Sequence, residues 1–401
     1  MSKDANSFFL SKKEWSAVKD ELLSCYLTPY IQKILATRKP LLYVDCFAGK
    51  GRFQDGSPGS PIIALDVIKE CLKQTKFPNT IVECRFIEAN HVDELTVNIA
   101  GYENCQIIPG KYQEVIEELL KWKRGYNAFF YVDPYGVKDL NCSIFDKFTQ
   151  HKFNSVEMLI NMNSFGFVRA ACSAMQTSYD DIERFDDVIV EYDPFEFDFL
   201  PQLAQKLSDI AGGDYWRKII EDYKAGQFDG YEAEMQFASQ YCQRLREKYR
   251  YVLNMPIRVK EKHRPKYRMI HVTNHPDGCV LMYENILKRW ERLALIQRQG
   301  QNLLFDETIE NETVDEQEVT KNLKQHLAKY SDYSSWREIL ATFLTEYGIL
   351  CKKDILINIM RRIEKEGFIV VYRHPARTKT GKPTSFYAED SNQQVMIRRK
   401  S

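Results

Sequence analysis

The sequence lacks the features of a metal site and of a membrane span. No two of its ten cysteines lie closer than 13 positions, so it has no C-x-x-C pair and no Cys/His cluster. Structural zinc and iron–sulfur sites are therefore not predicted, and no metal is assigned. No apolar run reaches the ~20 residues of a membrane helix, and no membrane partner is expected. Scattered cysteines without a signal peptide predict reduced thiols and a cytoplasmic location.

Two familiar nucleotide-binding motifs are incomplete. A dinucleotide fingerprint needs the spacing G-x-G-x-x-G, and its third position is occupied here by Gln54. A phosphate loop needs G-x-x-x-x-G-K-[ST], and Val44 stands where its first glycine belongs. A pyrophosphate or triphosphate ligand is thus disfavoured. A phosphate-free nucleoside such as S-adenosylmethionine fits the sequence better.

The apolar run at 41–45 predicts a buried parallel strand that ends in an acid and a small-residue turn. Asp45 stands at the carboxyl end of this strand, where open α/β sheets bind ligands. With Phe47, Gly49 and Gly51 it forms D-x-F-x-G-x-G, which resembles the first motif of class I methyltransferases. These four residues are predicted to bind the cofactor. The alternative is a tight strand-to-helix turn without a ligand.

A second predicted strand ends at Glu88, which is expected to bind the ribose hydroxyls. An acid with this role usually follows the glycine turn by ~20 residues, whereas Glu88 lies 37 residues after Gly51. A Gly/Pro-rich insertion at 56–61 explains the excess. This insertion is interpreted either as a lid over the cofactor or as a simple connector.

A third motif follows the apolar strand that ends at Asp133. In methyltransferases that act on exocyclic amines, a D/N-P-P-Y/F segment here holds the target amine and stacks on its base. Asp133, Pro134 and Tyr135 match this pattern without the second proline, and are predicted to be the catalytic residues. A β-turn without function is the alternative. Asn161 and Arg169 either face the site or are polar ends of buried elements.

The order of these motifs resembles a known family. It runs Phe47-Ala48-Gly49-x-Gly51, Gly59-Ser60-Pro61, Phe86-Ile87-Glu88, Val132-Asp133-Pro134-Tyr135-Gly136 and Glu157-Met158-Leu159-Ile160-Asn161. This order resembles the three-Cys-motif partner protein family, a prokaryotic and phage group similar to class I methyltransferases. The resemblance implies a partner protein with three motif cysteines that looks like a radical-type enzyme, and it leaves the reaction open.

Alternating strands and helices predict an α/β fold, a doubly wound Rossmann-like methyltransferase sheet with a helical insertion and a C-terminal winged-helix domain. Strands are predicted at 41–45, 84–88, 105–108, 128–133, 156–161 and 267–273. The insertion is interpreted as a substrate cap or as a partner-docking surface. The predicted divisions are a helix at 1–38, the core at 39–174, the insertion at 175–255, the end of the core at 256–300, an acidic linker at 301–320 and a winged-helix-like domain at 321–401.

Two basic clusters predict contact with RNA or DNA. In an extended segment alternate residues share one face, and such a stripe is formed by Arg258, Lys260, Lys262, Arg264, Lys266 and Arg268. A loop between predicted strands at 368–372 and 384–387 adds Arg373, Arg377, Lys379 and Lys382. A solvated edge strand and a protein-binding winged helix are the alternatives.

The sequence thus predicts an S-adenosylmethionine-dependent methyltransferase that acts on a nucleic-acid base amine. The alternative is a non-catalytic partner with a methyltransferase fold, which presents substrate to a cysteine-cluster radical-type enzyme. A nicotinamide oxidoreductase is disfavoured because the third glycine is missing.

Overall fold

The computed structural model describes residues 14–121, 124–177, 200–258, 265–290, 315–390 and 392–400. Within these residues the chain divides into two compact units. The first extends to Asn274, and the second begins at His275. A helix that follows His275 therefore belongs to the C-terminal unit, whereas the sequence-based division keeps it in the core up to residue 300.

A seven-stranded mixed sheet lies at the centre of the first unit. Its strands are β1 (Leu41–Asp45), β2 (Val82–Glu88), β3 (Cys105–Pro109), β4 (Asn127–Val132), β5 (Ser155–Met162), β6 (Tyr251–Arg258) and β7 (Pro265–Thr273). They lie in the order β3-β2-β1-β4-β5-β7-β6. Strands β1 to β5 are parallel, and β7 is antiparallel to both of its neighbours. This methyltransferase-like order confirms the predicted α/β sheet.

Helices cover both faces of the sheet. They are α1 (Glu14–Thr37), α2 (Ser60–Gln74), α3 (Val92–Ile99), α4 (Tyr112–Leu120), α5 (Cys142–Phe148), α6 (Ser164–Ala174), α7 (Leu200–Ala211), α8 (Tyr215–Lys224) and α9 (Gly230–Arg246). Because successive strand residues point to opposite faces, Phe129 packs against Tyr26 of α1 while Phe130 joins the core under α4 to α9. Within the predicted N-terminal helix at 1–38, the described residues form α1, and Val18, Leu22 and Tyr26 of it are buried; residues 1–13 lie outside the described part.

The segment predicted as an insertion is a layer of the fold in its described part. Helices α7 to α9 pack against α5, α6 and one another. Leu207, Trp216 and Phe237 belong to the same apolar core as strands β4 and β5. The acidic and aromatic stretch at 178–199 lies outside the described residues. Strand β6, which the sequence analysis does not predict, follows α9 and pairs with β7.

The described residues of the second unit form four helices and a small antiparallel sheet. Its elements are α10 (Pro276–Trp290), α11 (Glu316–Leu327), β8 (Ser334–Ser335), α12 (Trp336–Tyr347), α13 (Lys353–Lys365), β9 (Ile369–His374) and β10 (Gln394–Arg399). The sheet order is β8-β10-β9. Ser335 caps the start of α12 by accepting from the Glu338 amide at 3.1 Å.

The second strand of this sheet differs from the prediction. The sequence predicts a strand at 384–387, whereas β9 pairs with β10 at 394–399. Tyr387 turns into the core instead, and its hydroxyl donates to Glu364 at 2.8 Å. Val395 and Ile397 of β10 are fully buried. None of the described helices is long and apolar enough to cross a membrane.

Candidate functional site

Three carboxylates gather at the carboxyl edge of the parallel strands. Asp45 ends β1, Glu88 ends β2, and Asp133 follows β4 directly. Since β1 pairs with β2 on one side and β4 on the other, these strand ends are neighbours. The charges interact, because both Asp133 and Glu88 contribute to raising the pKa of Asp45. The edge of the sheet that the sequence predicts as a ligand site is thus acidic.

The glycine turn, which contains Gly49 and Gly51, lies against this edge of the sheet. Gly49 and Gly51 have φ angles of +59° and +77°, in the left-handed region that favours glycine. The Ala48 amide donates to the Ile87 carbonyl at 3.0 Å. A Cβ on Gly51 would lie 3.0 Å from Cδ1 of Leu95. Both predicted glycines are therefore required by backbone geometry, and the turn is held against β2 and α3.

Glu88 connects the second strand to the glycine turn. Its Oε2 accepts from the Gly49 amide at 2.7 Å, and its Oε1 accepts from the Asn90 and His91 amides at 2.7 and 3.0 Å. The residue is buried. A carboxylate has about four acceptor positions, so three backbone donors fix its orientation and leave room for a further donor such as a ribose hydroxyl.

Asp45 is fully buried and connects β1 to the start of α2. Its Oδ2 accepts from the Ser60 hydroxyl at 2.6 Å, and its Oδ1 accepts from the Phe47 amide at 3.2 Å. Burial raises the pKa of Asp45 to about 7, against the opposing effect of these two hydrogen bonds. Asp45 thus links the end of β1 to the glycine turn through the Phe47 amide and to the start of α2 through Ser60.

Asp133 is surrounded by hydrogen-bond donors. Lys19 of α1 contacts Oδ1 at 2.9 Å and Oδ2 at 2.8 Å. Asn161 of β5 donates to Oδ1 at 2.7 Å, and the Tyr131 hydroxyl donates to Oδ2 at 3.2 Å. The sequence analysis does not predict Lys19, although a single lysine within the apolar stripe of α1 is a signal for it. Asn161, for which two roles are open, lies at the site.

The rest of the third motif faces outward. Pro134 is buried, Gly136 has a φ angle of +91°, and the side chain of Tyr135 is 46% exposed. An aromatic ring therefore lies at the surface one residue beyond Pro134. Stacking of this ring on a base stays a prediction.

Two of the predicted nucleic-acid contacts are wrong, because their side chains are buried in ion pairs. Arg268 is 6% exposed and donates to both oxygens of Glu234 at 2.5 and 2.6 Å. Arg373 is 9% exposed and donates to both oxygens of Glu364 at 2.8 and 2.6 Å. A guanidinium held this way stabilises the fold and cannot reach a phosphate backbone.

The remaining predicted cations fall into two groups. Lys260, Lys262 and Arg264 lie outside the described residues, as do the side chains of Arg258 and Lys266. The remaining predicted cations of the second unit are exposed and lie on the hairpin at 376–384, where the Thr378 amide donates to the Lys382 carbonyl at 2.8 Å. They are Arg377, Lys379 and Lys382.

The charged side chains of the site suit a cationic nucleoside better than a phosphate ester. The carboxylate of Glu88 repels phosphate groups and attracts positive charge, whereas Lys19 balances the charge of Asp133 and burial raises the pKa of Asp45 to about 7. The close turn at Gly49 and Gly51 lets a ligand approach the backbone. Among the described residues no group of three His, Cys, Asp or Glu side chains is placed to hold a metal ion.

No protein-family profile and no curated protein matches the sequence. Among solved structures, the chain is similar to the plantazolicin methyltransferase BamL in complex with a triazolic desmethylPZN analogue and SAH. That match has 12% sequence identity and a TM-score of 0.29, and it covers 65% of this chain and 85% of that chain. The strand order of the sheet, and not this distant likeness, therefore shows the methyltransferase-like fold of the first unit.

Proposed function

We propose that the first unit is an S-adenosylmethionine-dependent methyltransferase whose acceptor is nucleic acid. The observation that carries the cofactor assignment is the hydrogen bond from the Gly49 amide to Glu88 at 2.7 Å, which closes the glycine turn onto an acid at the end of β2. An acid in this place serves ribose hydroxyls in related nucleotide folds.

The chain's own residues would hold the cofactor in three ways. Glu88 accepts from ribose hydroxyls, the Gly49–Gly51 turn contacts the nucleoside closely, and Asp45 fixes that turn through Ser60 and the Phe47 amide. When bound, the cofactor supplies a methyl group attached to a positively charged sulfonium. Such a transfer needs little from the protein except exact placement of donor and acceptor.

Nucleic acid is proposed as the acceptor from the second unit. The order of α11, β8, α12, α13, β9 and β10 is that of a winged helix, a module whose second helix and wing often bind nucleic acid. The wing of this module is the hairpin at 376–384, and it carries Arg377, Lys379 and Lys382 as exposed cations. A base amine, the acceptor predicted from the sequence, would have to displace Lys19 from Asp133.

A non-catalytic partner is the second candidate. The ion pair between Lys19 and Asp133 favours it, because a closed acceptor site would suit a scaffold that no longer transfers methyl groups. The resemblance to three-Cys-motif partner proteins points to a cysteine-cluster enzyme as its companion. A cytoplasmic location is part of both proposals, and the ten free thiols are compatible with it.

Calorimetry with S-adenosylmethionine tests the cofactor assignment. We expect micromolar binding by the wild-type chain. Glu88→Gln should weaken it by about 10- to 100-fold, as expected for loss of a charge-assisted hydrogen bond. Gly49→Val should abolish it, because a β-branched residue strains a φ of +59°.

Glu70→Gln is the matched control, since Glu70 is an exposed acid on the outer side of α2. Absence of binding by the wild-type chain would exclude the methyltransferase and favour the scaffold. Normal binding by Glu88→Gln would show that the cofactor lies elsewhere.

A further inference from the structure

The contacts of Asp133 determine which kind of acceptor the site can take. A carboxylate offers about four acceptor positions. Four hydrogen bonds reach Asp133: two from Lys19, one from Asn161 and one from Tyr131. A target amine is a donor of hydrogen bonds, and it would meet a carboxylate whose positions are already taken.

Lys19 presents a donor in the same place. The side chain is 9% exposed and is held between Asp133 and the ring of Tyr267, whose centroid lies 5.9 Å from Nζ. An ammonium group has three N–H donors, and two of them serve the oxygens of Asp133. The third can donate to an oxygen of an incoming group.

Asn161 supplies an acceptor beside this donor. Its Nδ2 is bonded to Asp133, it is 4% exposed, and its Oδ1 has no hydrogen-bond partner in the described part of the chain. A buried carbonyl oxygen without a partner costs about 1–3 kcal/mol, so a ligand that donates to it gains affinity. A hydroxyl group both accepts and donates, and it would satisfy Lys19 and Asn161 together. A conjugated amine donates only.

The charge that develops during transfer favours the same acceptor. An amine becomes positive as it takes a methyl group, and the neighbouring Lys19 cation opposes this. A hydroxyl that loses its proton as it attacks develops negative charge on oxygen, which the cation stabilises. The ion pair of Lys19 and Asp133 is therefore suited to an oxygen nucleophile.

We propose that the acceptor is the 2′-hydroxyl of an RNA ribose, with Lys19 and Asp133 as its catalytic residues; this rests on the proposed function. The hydroxyl oxygen bonds to the methyl carbon, and the carbon–sulfur bond breaks with its electron pair passing to sulfur. Lys19 passes a proton along its hydrogen bond to Asp133, and the lone pair of the amine so formed takes the proton that the hydroxyl group shared with Asn161. The carboxylate becomes a carboxylic acid, Lys19 keeps its charge, and the proton later leaves to water.

Two features favour RNA over other hydroxyl compounds, one at the site and one in the second unit. The exposed ring of Tyr135 follows Asp133 by two residues and offers a stacking surface for a base. The exposed cations of the wing suit a phosphate backbone. DNA lacks the 2′-hydroxyl and would give no product.

Methyl transfer to total bacterial RNA tests the proposal. The full chain is incubated with methyl-labelled S-adenosylmethionine and RNA, and the RNA is hydrolysed in alkali. A 2′-O-methyl group blocks cleavage of its own linkage, so we expect the label in alkali-resistant dinucleotides. Single-stranded DNA should take up no label. Lys19→Met should reduce transfer at least 100-fold while cofactor affinity, measured by calorimetry, changes less than twofold.

Lys33→Met is the matched control, because Lys33 is an exposed lysine on the same helix; it should transfer at the wild-type rate. Label on a base amine, with Lys19→Met as fast as wild type or faster, would overturn the inference and leave the methyltransferase standing. Label in protein or DNA, or none in RNA despite cofactor binding, would overturn it as well. Absence of cofactor binding would instead refute the proposed function.

The thermal stability of the protein without cofactor gives a second test of the coupling between Lys19 and Asp133. Lys19→Met and Asp133→Asn should each lower the thermal unfolding midpoint, and the double variant should lose less than the sum of the two. Additive losses would show that the two side chains are not coupled, and the proton path through Lys19 would then be wrong. This measurement also identifies a variant that fails to fold.

Discussion

Asp45 is an acid of the site whose pKa is raised strongly by burial. Its carboxyl is fully buried, and burial raises its pKa to about 7, while the hydrogen bonds from Ser60 and Phe47 oppose the shift. The neighbouring charges of Asp133 and Glu88 raise it further. Near neutral pH the glycine turn is therefore supported by a group that changes its charge within the physiological range.

The raised pKa of Asp45 predicts a stability that falls as pH rises. The unfolded chain releases this proton near its ordinary value of about 4, whereas the folded chain keeps it up to about pH 7. Between these values the folded state binds more protons, so the free energy of unfolding decreases with increasing pH, by an amount on the order of 1 to 4 kcal/mol. Urea unfolding at several pH values measures it. Asp45→Asn should flatten this dependence, and an unchanged slope would assign the titration to another group.

The sequence places the site acids well and their partners poorly. Asp45, Glu88 and Asp133 each end an apolar run, and parallel strands bring such ends together, so local pattern is sufficient. Lys19 reaches Asp133 across 114 residues, and Arg268 reaches Glu234 across 34. These pairs depend on how α1, α9 and β7 pack, which charge pattern alone does not encode. For that reason Arg268 and Arg373 were predicted as surface cations and are buried.

At the scale of elements, the loop between β1 and α2 combines two glycines of different purpose. Gly51 and Gly56 have φ angles of +77° and +81°. A Cβ on Gly51 would meet Cδ1 of Leu95 at 3.0 Å, whereas a Cβ on Gly56 would meet nothing within 4 Å. The first glycine serves close packing and backbone angle together, and the second serves backbone angle alone.

This difference predicts unequal costs for two alanine substitutions. Gly56→Ala should lower the free energy of unfolding by about 1 kcal/mol, the cost of a left-handed residue. Gly51→Ala should lose about 2 to 3 kcal/mol, because the methyl group also displaces Leu95. Chemical denaturation of the two variants measures the difference. Equal losses would mean that α3 moves away from the turn without cost.

The elements themselves could be predicted where apolar runs were regular. Strands β1 to β5 and β7 follow their predicted positions within a few residues. Strand β6 was missed because Tyr251–Ile257 contains Asn254 and Pro256, both poor strand residues. The last strand was placed at 384–387 because Phe386 and Tyr387 look like a strand pair, whereas Tyr387 is used as a core anchor against Glu364.

At the scale of the molecule, the net charge of zero is the sum of two parts with opposite formal charges. Residues 321–401 carry 16 basic and 8 acidic side chains, a formal charge of +8. The remaining 320 residues carry 40 basic and 48 acidic side chains, a formal charge of −8. The acidic part contains the carboxylate edge for a cationic cofactor, and the basic part contains the proposed wing.

The cations of the second unit differ in whether they form ion pairs with acids. Lys324 is paired with Glu366 at 2.7 Å, and Lys329 with Glu346 at 2.5 Å. The wing cations Arg377, Lys379 and Lys382 are exposed and form no ion pair with an acid among the described residues. Only cations that neutralise phosphates contribute to the salt dependence of nucleic-acid binding.

Exchange of all three wing cations for glutamine should therefore weaken RNA binding and flatten its salt dependence. With single-stranded RNA, each lost phosphate contact reduces the slope of log K against log salt by about 0.7, so the triple variant should lose about 2 in slope. Fluorescence anisotropy with a labelled oligonucleotide between about 50 and 200 mM salt measures it. The control is Lys324→Gln with Lys329→Gln, which removes two cations already held by acids and should keep most of the slope. If that control and the triple variant lose equal slope, overall charge and not the wing governs RNA binding.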